Sequence, residues 1–566
     1  MLKGVAASDG IGIGNVLLIE ETSLEYTPHA VEDTAAETRR FHEAVEVFVK
    51  NTEKQAENLT KTAGEKEAKI MLGHISMIKD PYMQGEIEKQ IQGGSCAEAA
   101  LENMCDMFIG VFSAAEDDFT RQRAADVRDV KAGMLAILLG VNVVDLTAAA
   151  PGTIIVAREL TPSMTAGIDR DNIVGIITET GGKTSHSAIL ARALEIPAVL
   201  SVENVTKTFK DGEKVIVDGK AGLVIENPTA ADITEYTAKR EEFLAEKSEL
   251  EMFRNKKTLN ADGTEYELFC NIGKPEDAVK AVECDGEGVG LFRTEFLFMD
   301  RNSLPNENEQ FEAYKKAVMV LKGKPLIIRT LDIGGDKEIP YLGLEKEENP
   351  FMGYRAIRYC LGNKDLFKTQ IRAILRASVY GDIRIMFPLV TCVEEVRHGK
   401  TLVEECKAEL KAQGKGFNND IKIGIMTETA ASAAIADLLA KECDFFSIGT
   451  NDLTGYTMSC DRGNSKVSYL YSHFQPAVLR MIEKIIKSAA ENGIPVGMCG
   501  EAAADPMLVP LLISFGLTEF SVSPVSVLKV RKEIAKWTKR DADALRDYVM
   551  TLHTQSEIVE YIKSKL

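Results

Sequence analysis

From residue 260 to the C-terminus, short apolar runs alternate with helical stretches eight times over. This alternation restricts the fold more than any other feature of the chain. The runs are Glu267–Ile272, Gly288–Phe292, Leu326–Leu331, Ile383–Pro388, Ile423–Thr427, Phe445–Gly449, Val496–Cys499 and Phe520–Ser523. Strands joined through helices run parallel and bury both faces. Eight such units over about 300 residues fit a closed (β/α)8 barrel, whose usual length is roughly 250 residues. An open doubly wound sheet is the competing architecture.

The carboxyl ends of these runs separate the two. Arg293-Thr-Glu295 closes the second run, Arg329 and then Asp332 the third, Glu428 the fifth, Asn451-Asp452 the sixth and Cys499-Gly-Glu501 the seventh. In a barrel they converge on the face where active sites are built. Arg293, Arg329 and Arg462 suit a small ligand with several anionic oxygens, which guanidinium groups bind in pairs. Glu428 and Asp452 suit Mg2+, which takes a few carboxylates together with substrate oxygens and water. Asn451 adds an amide donor, and Cys499 can exchange a proton at carbon. Taken singly, each arginine reads as a surface ion pair and Cys499 as a small buried hydrophobe. Their shared position after strands favours a site.

The first 259 residues have a different grammar. Residues 1–20 read as a glycine-punctuated turn followed by the strand Asn15–Ile19. The run Gly10-Ile-Gly-Ile-Gly14 imitates a dinucleotide fingerprint, but it precedes its strand and its third glycine is misplaced. Residues 31–145 are helical, with a stripe of Phe41, Val45, Phe48, Ala56, Leu59 and Ala63. Asp80-Pro81 signals a helix start and Gly93-Gly94 its end. Ser95 with Glu98 reads as the capping box of the next helix. Residues 146–228 return to short strands (Thr153–Ala157, Ile173–Thr178, Val215–Val217, Leu223–Ile225) around a helix at 187–195, and Val217–Gly222 reads as a hairpin turn. The N-terminal strand is expected to join that sheet. The domains expected are thus 1–20 plus 146–228 (α/β), 21–145 (helical, inserted), a charged linker helix over 229–259, and the barrel over 260–566.

Within the α/β part lies a second chemical centre, Gly181-Gly-Lys-Thr-Ser-His186, followed by Ser-Ala-Ile-Leu-Ala-Arg-Ala-Leu. The glycines permit a tight turn after a strand, and Thr184 or Ser185 can cap a helix starting near His186. A helix start offers free N–H donors and the positive end of a dipole, which would stabilise a phosphate on that imidazole. Imidazole nitrogen is also a competent nucleophile. A lone histidine is more often a plain helix-start residue; the glycine turn and hydroxyl-rich cap together favour function. Only the end of a nucleotide P-loop pattern is present, so a P-loop is unsupported.

Charge narrows the partners. The 566 residues carry a net charge of −19, with pI near 5.1. An acidic surface repels phosphate backbones, which argues against nucleic acid and suits a basic protein partner. The ten cysteines show no Cys-x-x-Cys spacing and fit a reducing cytosol. The apolar run Met134–Val144 is too short to span a bilayer, and Asp9 with several glycines spoils a signal peptide.

These motifs resemble those of enzyme I of the bacterial sugar phosphotransferase system over essentially the whole length. The resemblance lies in Thr161-Pro-Ser163, Gly181–His186, Gly290-Leu-Phe-Arg-Thr-Glu-Phe-Leu-Phe298, Arg329-Thr-Leu-Asp-Ile-Gly-Gly-Asp-Lys337, Asn349-Pro-Phe-Met-Gly-Tyr-Arg355, Ser447-Ile-Gly-Thr-Asn-Asp-Leu453, Asp461-Arg-Gly463 and Gly497-Met-Cys-Gly-Glu501. It implies a swivelling phosphohistidine α/β domain with an inserted helical bundle, a linker helix and a C-terminal (β/α)8 barrel. It implies that His186 takes a phosphoryl group from phosphoenolpyruvate and passes it to the phosphocarrier protein HPr, that Arg293, Arg329, Arg462 and Asn451 hold phosphoenolpyruvate, that Glu428 and Asp452 bind Mg2+ (or Mn2+), and that Cys499 protonates the enolate to give pyruvate. It further implies HPr docking near His74 and Arg123, a homodimer formed through the barrel, and a cytoplasmic location without membrane insertion. Two departures stand out: Glu428-Thr-Ala-Ala431 where the family usually has Pro after the Glu, and Gly455 where Gln is common.

Two rivals remain at this stage. An ATP-dependent phosphoenolpyruvate synthase or dikinase would share the histidine domain and barrel, but needs an ATP-binding domain of a few hundred residues; here about 150 mostly helical residues lie ahead of the histidine domain. A catalytically silent regulatory binding protein would keep the fold, and the retention of His186, Glu428, Asp452 and Cys499 argues against it.

Overall fold

The computed structural model describes residues 1–566 apart from 20–23, 63–64, 115–117, 142–145, 147–148, 162–163, 165–167, 183–184, 300 and 335–338; of residues 58, 61–62, 65–67, 118–122, 186 and 340 it describes the backbone. The chain forms two compact units, Met1–Lys247 and Ser248–Leu566. Ala63, Pro162, Ser163, Lys183, Thr184 and residues 335–337 of the motifs above lie outside the described residues.

The first unit holds an eight-stranded sheet. Its strands are β1 (Leu2–Lys3), β2 (Val5–Ser8), β3 (Ile11–Ile19), β4 (Thr153–Ala157), β5 (Ile173–Thr178), β6 (Ala198–Leu200), β7 (Lys214–Asp218) and β8 (Leu223–Glu226), in the order β1-β8-β7-β3-β4-β5-β6-β2. β3 sits at the middle, parallel to β4 and antiparallel to β7. The N-terminal strand therefore joins the later strands, as expected, and β7 and β8 form the expected hairpin. The glycine run is a correction: Gly12 and Gly14 lie inside β3, not in a turn before it. A Cβ on Gly12 would come within 2.1 Å of the Val174 carbonyl oxygen, and one on Gly14 within 2.1 Å of that of Gly152. Glycine here marks close backbone approach within a sheet. β2 and β6 were not read from the sequence; three or four residues are too few to show a period.

Between β3 and β4 run five helices: α1 (Thr34–Thr62), α2 (Glu65–Ile78), α3 (Pro81–Gln92), α4 (Ala97–Ser113) and α5 (Asp118–Leu139). α1 serves two cores. Phe41, Val45 and Phe48 pack among the helices, while Ala56 and Leu59 share a core with Ile155, Ile176 and Leu190 of the α/β part. Asp80 caps α3, accepting from the backbone N–H of Tyr82 and Met83, and Gly93 ends it. The Ser95–Glu98 capping box is not formed. Cys96 holds the N-cap position without a side-chain bond, and Glu37 of α1 accepts from the Ala97 N–H at 2.8 Å. Glu98 instead pairs with Arg40 at 2.7 Å. A carboxylate on a neighbouring helix satisfied the helix start better than a local one.

The second unit is a closed barrel of eight parallel strands: β9 (Glu267–Ile272), β10 (Val289–Arg293), β11 (Leu326–Arg329), β12 (Ile383–Phe387), β13 (Ile423–Thr427), β14 (Phe446–Ile448), β15 (Val496–Cys499) and β16 (Glu519–Val522). β16 returns to pair with β9 and closes the ring. The open sheet is thus excluded. Leu291, Ile327, Met386, Met426, Phe445 and Cys499 form one buried cluster, drawn from β10 to β15 and the residue before β14. A helix covers Ala230–Glu251 and stops short of the expected 259. Beyond it Arg254 donates to the Glu283 carbonyl at 2.7 Å, and the Asn255 N–H, on a residue with φ of 57°, donates to Asp285 at 2.7 Å. These bonds draw the chain into the barrel unit before the helix can continue.

Candidate active site

At the carboxyl ends of the strands the barrel gathers the charged residues that the sequence spaced out. Arg293 and Arg329 are register partners on β10 and β11. Thr294, just past β10, donates to the Arg329 carbonyl at 2.8 Å, and Gln370 from an outer helix donates to Thr294 at 3.2 Å while accepting from the Leu331 N–H at 2.9 Å. Gln370 thereby pins two adjacent loops. Arg329 is 8% exposed. It donates to Glu295 on one side and meets Asp332 at 2.9 Å on the other. Burial alone would weaken its hold on a proton, but Glu295, Asp332 and Glu428 outweigh that and keep it firmly charged.

Arg355 is the largest omission from the sequence reading. It lay inside a quoted motif without a role, because it follows β11 by a long loop and not by a strand end. Its guanidinium donates to Asp332 at 2.7 Å and stands 3.5 Å from Asp452. A Cβ on Gly334 would lie 2.5 Å from the Arg355 Cβ, and Gly334 has φ of 127°, so this approach requires glycine. Asp332 thus bridges two buried arginines.

Glu428 follows β13 and is 2% exposed. Its Oε1 accepts from the Leu389 N–H at 2.7 Å. A Cβ on Gly449 would crowd its Oε2 at 2.7 Å. Burial, then Asp452 and Asp332, push its proton affinity well above the ordinary carboxylate range; Arg329 and Arg355 oppose this. Among the described residues no group of three or more His, Cys, Asp or Glu could hold a metal. Two carboxylates that repel each other fit a hard cation that completes its shell with water and substrate oxygens. Glu428 and Asp452 are the residues that could hold one.

Cys499 ends β15, buried beside this cluster. Burial pushes its thiol up to about 11, against the pull of Ser447, Arg329 and Arg293. A thiol raised in this way keeps its proton at neutral pH. Asn451 and Asp452 lie in the first turn of the helix Thr450–Met458, and Tyr471 donates to the Asn451 carbonyl at 2.9 Å. Arg462 is exposed on the segment beyond that helix. The barrel thus brings Arg329, Glu428, Asp452 and Cys499 together, sets Arg293 beside Arg329, and leaves Arg462 at the surface.

In the first unit a helix, α6 (His186–Ala193), opens at His186. Ser185 is its N-cap, accepting from the Ala188 N–H at 3.3 Å. Gly181, at φ of 108°, would put a Cβ 3.1 Å from the Ser185 Oγ, so glycine keeps the cap in place. Ser201 donates to the Gly181 carbonyl at 2.6 Å and fixes the turn from below.

The chain is 44% identical over 564 residues to the phosphoenolpyruvate-protein phosphotransferase of Priestia megaterium, spanning 100% of this chain and 98% of the relative. It belongs to the phosphoenolpyruvate-protein phosphotransferase family. The relative of that name from Bacillus subtilis (strain 168) is 44% identical over 563 residues, 99% of each chain. Three domain families match in series: the PEP-utilising enzyme N-terminal domain at residues 3–123, the mobile domain at 149–222 and the PEP-binding domain at 247–539. A solved structure of Enzyme I (nEIt) is 36% identical, covering 43% of this chain and 99% of its own, with a TM-score of 0.40.

For this phosphotransferase two departures from the family pattern have a local account. Thr429, beside Glu428, caps the short helix Ala430–Ala434 through a capping box with Ser432, and its hydroxyl donates to the Val390 carbonyl at 2.9 Å. Hydrogen bonds hold this turn where proline would otherwise stiffen it. At Gly455 a Cβ would meet the Cys460 carbonyl oxygen at 3.3 Å. On the helical block, His74 is only 2% exposed. It lies 3.7 Å from Asp126 and 3.8 Å from Asp129, while the exposed Arg123 stands 3.9 Å from Asp126. Of the two residues expected on a docking surface, Arg123 is exposed and His74 is buried. No helix among the described residues is long and apolar enough to cross a membrane.

Proposed function

We propose that this phosphotransferase takes the phosphoryl group of phosphoenolpyruvate onto His186, releases pyruvate, and passes the group to a histidine of HPr, the first step of sugar phosphotransferase transport. The observation that carries this reading is the buried thiol of Cys499, at the carboxyl end of a strand in a closed barrel whose neighbouring strand ends hold paired guanidinium and carboxylate groups. Arg293 and Arg329, with Arg462 and Asn451, hold the phosphate and carboxylate of the substrate. Their charge stabilises the enolate oxygen as the P–O bond breaks. Cys499 gives its proton to the enolate carbon. Glu428 and Asp452 would hold Mg2+ (or Mn2+), which when bound would neutralise charge on the phosphate. Asp332, held by two arginines, fixes both guanidiniums in place.

The working division of the chain is a phosphohistidine α/β domain (1–20 plus 146–228), a helical HPr-binding domain (21–145), a linker (229–259) and a substrate-binding, dimerising barrel (260–566). HPr docks beside Arg123 with His74 positioning Asp126. The enzyme acts in the cytoplasm as a homodimer.

The test is incubation with phosphate-labelled phosphoenolpyruvate and Mg2+, and separately with labelled ATP, comparing wild type with His186→Ala. Acid-labile, base-stable label from phosphoenolpyruvate alone, absent in the variant, is expected. Label from ATP would assign the chain to the dikinase reading. No label from either donor, on folded protein, would leave a silent binding protein.

A further inference from the structure

Ser447 lies on β14 opposite Gly497 of β15 in the parallel register. Cys499 is two residues further along β15, on the face that Gly497 leaves bare. The Ser447 hydroxyl reaches across and donates to the Cys499 sulfur at 3.2 Å, and the thiol in turn faces the Ile448 carbonyl at 3.8 Å. Both residues are buried, and Cys499 belongs to an apolar cluster with Leu291, Ile327, Met386, Met426 and Phe445. Among the described residues, the Ser447 hydroxyl is the side-chain donor that reaches the sulfur.

We propose that Ser447 is a positioning residue for proton transfer, holding the Cys499 sulfur in place and stabilising the thiolate that remains once its proton has left. The inference rests on the reading of Cys499 as the proton donor. In the step, the S–H bond breaks and a C–H bond forms at C3 of the enolate. The enolate π pair makes that bond while the oxygen becomes a carbonyl, and the S–H pair stays on sulfur. The Ser447 O–H then donates to a full negative charge, where a hydrogen bond is strongest. Solvent returns the proton after pyruvate leaves. The charged groups acting on the sulfur are Arg329 and Arg293, which favour the thiolate, and Glu428, which opposes it. Ser447 is the neutral group that adds to the arginines without adding charge to the substrate site.

The experiment measures exchange of deuterium from heavy water into the methyl group of added pyruvate, with Mg2+ and without phosphoenolpyruvate, so that the same proton transfer is read in both directions, and separately measures labelling of the chain by phosphoenolpyruvate, in wild type, Ser447→Ala, Ser447→Thr and Cys499→Ala. The S–H stretching band of Cys499, isolated by difference against Cys499→Ala, is recorded for each variant. Ser447→Ala is expected to slow deuterium entry by roughly 10- to 100-fold, the worth of a hydrogen bond to a charged group, and to shift the S–H band. Single-turnover labelling of the chain continues, because enolpyruvate can leave and ketonise in water. Ser447→Thr, which keeps the hydroxyl, restores both signals. Unchanged deuterium entry in folded Ser447→Ala, or a Thr variant as slow as Ala, would overturn the inference while leaving the phosphotransferase reading intact. Wild-type exchange in Cys499→Ala would instead remove Cys499 as donor, and this inference with it.

Discussion

At the barrel mouth Glu295, Arg329, Asp332 and Arg355 are buried and fixed in reciprocal pairs, with Glu428 buried beside them, several loops contributing to one cluster. The helix that opens at His186 is built from a single local segment: two glycines, one serine cap and a turn tied down by Ser201. The contrast follows from what each must do. A buried charge cluster is pre-set for substrate charge and acts through a weakly screening interior, at a cost in desolvation. In the proposed function His186 gives its phosphoryl group onward, and a helix start supplies backbone donors for that group.

That contrast can be broken by removing one charge from the cluster. Arg329→Ala leaves Glu295 buried without its partner and Asp332 with Arg355 alone. It is expected to destabilise the barrel by about 3–5 kcal/mol, besides abolishing turnover. Denaturant unfolding followed by far-ultraviolet circular dichroism would measure it; a loss below about 1 kcal/mol would mean that the pairs are no tighter than surface bridges.

The first strand residue of β16 sharpens the comparison from within the barrel. Glu519 is buried with no hydrogen-bond partner for its Oε1, close to where Gly290 and Gly497 lack side chains. Burial first, then Glu267, push its carboxyl up to about 8, and Arg384 pulls only weakly against them. A raised carboxyl favours the fold while neutral, so its contribution is whole below the ordinary carboxylate range and is lost as pH rises through about 8. The stability of Glu519→Gln relative to wild type should therefore grow by about 2–4 kcal/mol between about pH 5 and pH 8. Denaturant midpoints across that range would show it; parallel curves would refute an unpaired carboxylate.

The smallest effect belongs to the histidine helix. Ser185→Ala removes its one side-chain cap and is expected to cost about 1 kcal/mol, local to the helix start. Faster hydrogen exchange at the amides of Ala188 and Ile189, with the barrel amides unchanged, would confirm that the support there is local. Changes spreading to the sheet would mean that the two regions differ less than their contacts suggest.

The sequence by itself determined the eight-strand alternation, the bounds of β4, β5, β9, β13 and β15, and the return of the N-terminal strand to the later sheet. Each is written in apolar runs long enough to show their period and bounded by turn residues. It also determined that Arg293, Arg329, Glu428, Asp452 and Cys499 stand at strand ends. Tertiary structure alone decided what those groups do to one another. Arg355 reaches Asp332 and Asp452 only because the barrel closes and Gly334 lets the loop approach. The Ser447 hydroxyl finds the Cys499 sulfur because parallel pairing sets Ser447 opposite Gly497, two residues before Cys499 on the same face of β15. His74 looked like part of a docking face and is buried under its own acids, and the start of α4 is capped by Glu37 from 60 residues away. Periodicity along a chain reports which face of an element is apolar; burial of a polar group depends on which other element covers it, and that is settled only when the elements pack.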